Sequence, residues 1–200
     1  LSYYNSAGGV TVDLRYQGVF QAVGGFSGTD WFDQFEDLYG SNRGGDLLIG
    51  STGDNRILGF GGDDRIFGFN GNDELFGQQG NDLLAGGVGA DVLTGGAGAD
   101  VFDFNHISES TSAARDTVRD FSAAAGDIID LSGIDANSAV AGNQAFTFVG
   151  SAAFGSAGDL RFVTNGTDGF VIGDVDGNGS IDLNILLLGV TAMSAGDFVL

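Results

Sequence analysis

SNRGGDLLI, GSTGDNRIL, GFGGDDRIF, GFNGNDELF, GQQGNDLLA, GGVGADVLT and GGAGADVFD follow one another from Ser41 to Asp103, seven nine-residue units without insertion or deletion. Position 4 of each unit is Gly: Gly44, Gly53, Gly62, Gly71, Gly80, Gly89 and Gly98. Position 6 is Asp46, Asn55, Asp64, Asp73, Asp82, Asp91 and Asp100. Position 8 is large and apolar throughout: Leu48, Ile57, Ile66, Leu75, Leu84, Leu93 and Phe102. A fixed short period dictates a repeat architecture, because one unit cannot bury its own apolar face.

Positions 7 to 9 are strand-like, and positions 1 to 6 hold the turn glycines. Turn, strand, turn, strand winds into a flattened right-handed coil of two units, 18 residues. Successive coils stack at about 4.8 Å, the strand spacing. Units one and three then lie above each other on one side, units two and four on the other. The position 8 side chain points inward. The aspartates stack into like-charged ladders, unfavourable without a counter-ion. The fold class expected is all-β: a right-handed parallel β-roll with a β-rich N-terminal cap and an antiparallel C-terminal end-piece.

Composition narrows the function. The net charge is -20, and all seven basic residues are Arg. Nucleic acid is excluded for want of a basic footprint, and an anionic membrane surface for the same reason. Regularly spaced carboxylates point to a divalent cation, with an acidic solvated surface as the plain alternative. There is no Cys, hence no disulfide. No apolar run has the length of a membrane helix. The chain starts at Leu1 without Met or a basic leader, which suggests a fragment of a longer protein lacking its N-terminal domain.

Residues 1–40 are expected to be a β-rich cap. Val10, Val12 and Leu14 alternate with polar residues, a half-buried strand. Gly24-Gly25 marks a turn. Asp37 and Tyr39 fall in the repeat frame at positions 6 and 8, as a degenerate leading turn. Trp31, Phe32 and Phe35 are expected to cover that end of the core, with a ligand platform as the alternative. Residues 41–103 form the roll. Phe60, Phe67, Phe69 and Phe76 are expected as one exterior aromatic cluster, against the cap or against a missing neighbouring domain. In 104–200, Ser108 to Asp116 is a polar loop or short helix. Strands AFTFVG, DLRFVT, GFVIGDV and SIDLNILLLG follow, with Ile181, Leu183, Ile185 and Leu187 on one packed face. Asp174 to Asp182 is a hairpin by its Asp-Gly and Asn-Gly dipeptides. It is also similar to the first part of an EF-hand loop without the closing Glu, so an extra calcium ion is possible there.

Units six and seven resemble the RTX nonapeptide, Gly-Gly-x-Gly-x-Asp-x-apolar-x, a calcium-binding repeat. The segment DTVRDFSAAAGDIIDLSGIDAN after the roll is similar to serralysin-type (peptidase M10) C-terminal secretion domains. The resemblance implies several calcium ions held between a turn and the turn two units later. Its ligands would be the position 6 carboxylates of Asp46, Asp64, Asp73, Asp82, Asp91 and Asp100. Carbonyls of the turns at Gly59, Gly62, Gly68, Gly71, Gly77, Gly80, Gly86, Gly87, Gly89, Gly95, Gly96 and Gly98 would join them. Such a set suits a hard cation. Five inter-turn pairings follow from the register. The pairing through Asn55 lacks a carboxylate, and Asp54 beside it points elsewhere. Asp116 and Asp120 are candidates to close the last half-sites, with a solvated acidic turn as the alternative. The ending Asp197-Phe198-Val199-Leu200 resembles a type I secretion signal, and also fits a last edge strand.

The resemblance implies a non-catalytic module that folds on calcium after export and supports an upstream extracellular domain. Two other readings stay open. One is a polysaccharide-binding (alginate-like) module of a secreted epimerase or lyase, using Arg43, Arg56, Arg65 and Arg161. The other is a calcium-stiffened adhesin. No catalytic residue is expected. His106 is the only histidine, and HExxH, GxSxG and a phosphate loop are all lacking.

Overall fold

The computed structural model describes residues 1–16 and 34–200 and, between them, the backbone of the paired strands Val19–Ala22 and Thr29–Phe32. The Gly24-Gly25 turn and the side chains of Trp31 and Phe32 lie outside the described residues.

Strands of the repeats alternate between two sheets. The seven-stranded sheet runs Thr11–Asp13, Leu47–Ile49, Arg65–Asn70, Leu83–Val88, Val101–Asp103, Ile128–Asp130 and Phe198–Val199. The nine-stranded sheet runs from Asp37–Tyr39 through Arg56–Gly61, Glu74–Gln79, Val92–Ala97 and Thr117–Val118 into the end-piece. Within the roll the pairing is parallel, with Leu47 opposite Arg65 opposite Leu83 opposite Val101, so one coil is 18 residues. This is the β-roll the period dictates.

The core is a single column of side chains between the sheets. Leu48, Ile57, Ile66, Leu75, Leu84, Leu93 and Phe102 are all 0% exposed. One apolar side chain per nine residues is a thin core, so the turns carry much of the burden of specifying the fold. The column continues at one end into Leu38, Val12 and Leu14, and at the other into Phe104, Val118 and Ile129. The strand reading of Val10 to Leu14 holds, although Leu14 already opens a 3-10 turn, Leu14–Tyr16. Phe35 does not cover the end; it is 37% exposed, and Leu38 takes the inward place.

Leu38 also corrects the register of the leading turn. It pairs with Ile57, a position 8 residue, while Asp37 pairs with Arg56 and Tyr39 with Leu58. Tyr39 is therefore not at position 8, nor Asp37 at position 6. The turn from Gly40 to Asp46 is one residue longer than that from Gly50 to Asn55, which shifts everything before it.

The end-piece is antiparallel as expected in three of its four strands; the first, Thr147–Phe148 in AFTFVG, instead pairs in parallel with Asp159 and Leu160. Asp159–Thr164 pairs with Gly169–Asp174, which pairs with Leu183–Leu187. The last of these joins the roll in parallel with Thr117–Val118. Leu183, Ile185 and Leu187 are buried, but Ile181 is 42% exposed because it precedes the strand. The segment Ser108 to Asp116 is a loop. Phe198–Val199 pairs with Ile129 and Asp130, and Phe198 packs on Phe148 at 5.1 Å, so the C-terminus is an edge strand. Among the described residues no helix is long and apolar enough to cross a membrane.

Candidate metal centre

Each position 6 side chain is aimed into the roll's edge by the strand that follows it. With position 8 fixed inward, position 6 lies on the same face two residues earlier. Asp46, Asp64, Asp73, Asp82, Asp91 and Asp100 are at most 3% exposed. Each carboxylate is tied to the coil before it. Asp64 Oδ1 accepts the Asp46 N–H at 2.8 Å, Asp82 Oδ1 the Asp64 N–H at 2.8 Å, and Asp100 Oδ1 the Asp82 N–H at 2.9 Å. On the other edge, Asp73 takes the Asn55 N–H and Asp91 the Asp73 N–H, both at 2.7 Å. The stacking of units two apart is thus written in hydrogen bonds.

That accounts for one oxygen of each carboxylate. The other, Oδ2, is buried without a hydrogen-bond partner at Asp64, Asp73, Asp82, Asp91, Asp100 and Asp116. An orphaned buried carboxylate oxygen is expensive. Burial pushes these groups up, with neighbouring carboxylates adding to it: Asp64 to about 8, Asp91 to about 7, and Asp73, Asp82 and Asp100 to about 6. Asp116 is pushed up to about 9 by burial first, and then by Asp91, Glu109 and Asp73.

Around the orphaned oxygens of Asp73 and Asp82 the backbone makes an oxygen-lined cradle. At Gly77 a Cβ would strike Asp82 Oδ2 and lie 2.7 Å from the Gly95 carbonyl oxygen. The same crowding recurs at Gly68, against Asp73 Oδ2 and the Gly86 carbonyl. Position 1 must therefore be Gly, as it is in units two to seven, and beside Asp46 Gly40 takes that place; the glycine brings a carboxylate and a carbonyl from the next coil to one point. Carboxylate and carbonyl oxygens, without His, Cys or Lys, fit a hard divalent cation and not a soft one. Calcium would find its ligands here among the orphaned Oδ2 atoms and the turn carbonyls.

The ladder continues past the repeats. Asp116 Oδ1 accepts the Asp91 N–H at 2.8 Å, as expected of a closing residue. Asp120 instead accepts the N–H groups of Gly95 and Gly96, at 3.0 and 2.9 Å. The residue that closes the other edge is Asp127, unforeseen, which accepts the Asp100 N–H at 3.0 Å. Its signal was present in the sequence: Asp127-Ile128-Ile129 repeats the order Asp, any, apolar of positions 6 to 8.

The ends differ from the middle by a serine. The Ser41 N–H occupies Asp46 Oδ2 at 2.6 Å, and the Ser122 N–H occupies Asp127 Oδ2 at 2.8 Å. Asp46 Oδ1 in turn accepts the Val10 N–H at 2.7 Å, which anchors the cap. Asn55 accepts the Ser51 N–H and turns its amide to the Glu36 carbonyl at 3.1 Å, a bond a carboxylate could not donate. Asp54 points away, as expected, and accepts the Asn72 N–H at 2.7 Å. Asn72 then accepts from Ala90, and Asp63, Asn81 and Ala99 repeat the pattern, a second, exposed ladder at position 5.

Other residues singled out by the sequence are scattered. Asp174, Asp176 and Asp182 bring carboxylate oxygens within 4.8 Å of one another in a hairpin loop. Asp174 accepts the Gly177 and Gly179 N–H groups there. Arg56 pairs with Glu74 at 3.1 Å on the nine-stranded sheet, Arg65 lies on the other sheet, and Arg161 belongs to the end-piece. The aromatic cluster is two pairs on opposite faces, because positions 9 and 2 of successive units fall on alternate sheets. Phe60 and Phe76 are on the nine-stranded sheet, Phe67 and Phe69 on the other. The cap does contact them: Tyr4 packs edge-on to Phe60 at 4.8 Å, and Arg15 lies 4.3 Å from the centre of Phe69. His106 is exposed, its Nδ1 2.8 Å from Ser108 Oγ.

Comparison with known proteins agrees with this geometry. The family model of the peptidase M10 serralysin C terminal matches residues 34–200. The AlgE6R2 subunit of the Azotobacter vinelandii mannuronan C5-epimerase is 29% identical, with 76% of this chain and 90% of that chain covered and a TM-score of 0.54. The AlgE6R3 subunit of the same enzyme is 28% identical over 82% of this chain and 79% of that one, with a TM-score of 0.45. A comparison with curated protein sequences finds no match. The chain belongs to the peptidase M10 serralysin C-terminal family, and its roll is a non-catalytic RTX module of the calcium-binding kind.

Proposed function

We propose that this chain is a calcium-folded module of a secreted protein. It crosses a type I secretion apparatus unfolded and folds outside the cell, where it supports a domain that precedes Leu1. The observation that carries this reading is the row of six buried, orphaned Oδ2 atoms. Without a cation their mutual repulsion and burial oppose folding; with one they become ligands, and binding free energy becomes folding free energy. Asp64, Asp73, Asp82, Asp91, Asp100 and Asp116 would hold the ions, with carbonyls of the position 1 glycines. Asp46 and Asp127 would be the satisfied ends. Extracellular calcium, at about 10⁻³ M, is in the range for such modules. The ending Asp197 to Leu200 would be exposed for export only before the last strand docks.

The test is circular dichroism of the chelated chain during calcium titration. A coil spectrum that converts to a β spectrum supports the proposal; a β spectrum in chelator overturns it. A second reading, polysaccharide binding, draws on the likeness to the epimerase subunit AlgE6R2. It predicts that the calcium-loaded chain binds mannuronan oligomers.

A further inference from the structure

On the seven-stranded face lies a groove of about 270 Å³ that the ion ladder does not use. Phe67, Phe69 and Asn70 form one wall, Val88 the other, and Asn105 and Glu109 one end. Phe69 is 39% exposed and Val88 49% exposed. Gly87 also lines the groove, at a point where a Cβ would collide with the Phe69 carbonyl.

Phe69 is also strained. It stands at φ +81°, at the position where units six and seven have Gly87 and Gly96. A non-glycine residue there costs of order 1–2 kcal/mol. The same backbone recurs at Phe60 and Gln78, so the strain belongs to position 2 of the unit; what sets Phe69 apart is its exposed ring at the edge of the groove.

The polar groups decide which ligand. Arg15 lies flat against Phe69, but its guanidinium is bound to Asp13 by two hydrogen bonds of 2.9 and 2.7 Å. Arg65 lies 5.8 Å from the centre of the Phe67 ring and is not among the residues lining the groove. Arg15 is therefore answered by Asp13, and among the described residues the one charged group lining the groove is Glu109. The Glu109 carboxylate at the groove opposes an anionic ligand. The Asn70 amide and the Glu109 carboxylate, which also accepts the Asn105 N–H at 2.8 Å, offer a donor and acceptors suited to vicinal hydroxyls, while the Asn105 amide is held by Asp103 at 2.9 Å. The aromatic wall suits the apolar face of a sugar ring, and the volume is at the small end of ligand sites.

We propose that this groove binds a neutral polysaccharide through one or two hexose units. The inference goes beyond the calcium reading and needs only the folded roll. It differs from the second reading above in the charge of the sugar.

The test is NMR titration of the full chain in saturating calcium with cellohexaose, mannohexaose and laminarihexaose, and with hexamannuronate as the anionic probe. At least one neutral hexaose should shift the amides of Phe67 to Asn70 and of Val88. Phe69→Gly should weaken that binding at least about tenfold, the loss of one ring contact. Because that change relieves backbone strain, the variant stays folded in calcium. Val88→Ser gives an independent second reading of the same wall, with weaker binding. Absence of binding by all three neutral sugars at 5–10 mM, on the order of the weakest useful affinity, overturns the proposal. So does unchanged binding in both variants, or tighter binding of hexamannuronate at the same residues.

Discussion

Gln78 occupies the left-handed region, at φ +82°, as do Phe60 and Phe69 at the same place in the two units before it. Units six and seven put Gly there. Gln78→Gly should therefore stabilise the calcium-loaded chain by roughly 0.5–1 kcal/mol, read as a higher urea midpoint. No gain, or a loss, would show that the side chain contributes more than the strain costs. Ile66 is fully buried in a one-residue-wide column, so Ile66→Ala should cost about 2–5 kcal/mol by the same measurement. These two positions also show what a sequence makes legible. Position 8 was readable as core because a period fixes its face in every unit. The strain at position 2 was not, since a departure from glycine says nothing of the φ angle that results.

At the scale of the strand and turn, the spacing of 18 residues translated directly into the N–H to carboxylate ladder. What misled was length. A single extra residue between Gly40 and Asp46 puts Leu38, not Tyr39, under Ile57. The division of four phenylalanines between two faces follows from strands that run through a unit boundary, joining positions 7 to 9 of one unit to 1 to 3 of the next. Asp127 escaped because the repeat by then has lost its glycine-rich spacing, 27 residues rather than 18 separating it from Asp100. Asp82 is shared by two rungs, accepting from Asp64 and donating its N–H to Asp100. Asp82→Asn should keep the hydrogen bonds and lose the charge. Calcium affinity should fall at least about tenfold, with reduced cooperativity, in a calorimetric titration. A titration identical to wild type would sink the ladder as the metal site.

The whole molecule is a cation-dependent stack closed at both ends, by Val10 and Ser41 on Asp46 and by Ser122 on Asp127. Its net charge of -20 opposes compaction unless ions or protons offset it. The direction of the pH effect follows from the raised carboxyls. In the unfolded chain they titrate near 4; in the fold without cation they are pushed up to between about 6, as at Asp82, and about 9 at Asp116. The fold then binds more protons than the unfolded chain across that window, so stability is full below about pH 4 and falls as pH rises to about 9. Acid should partly replace calcium: in chelator, circular dichroism should report more β structure at pH 4.5 than at pH 8. Equal or greater structure at pH 8 would contradict the assignment of cause. Calcium affinity should rise over the same window, because the ion displaces those protons.

If the orphaned aspartate oxygens are ion ligands, filling them is what folds the chain. Calorimetric counting of calcium at neutral pH, with circular dichroism followed on the same titration, tests it most directly. About six ions per chain should bind, one for each orphaned Oδ2, with binding and folding rising together. One or two ions, or a β spectrum complete before calcium is added, would contradict it.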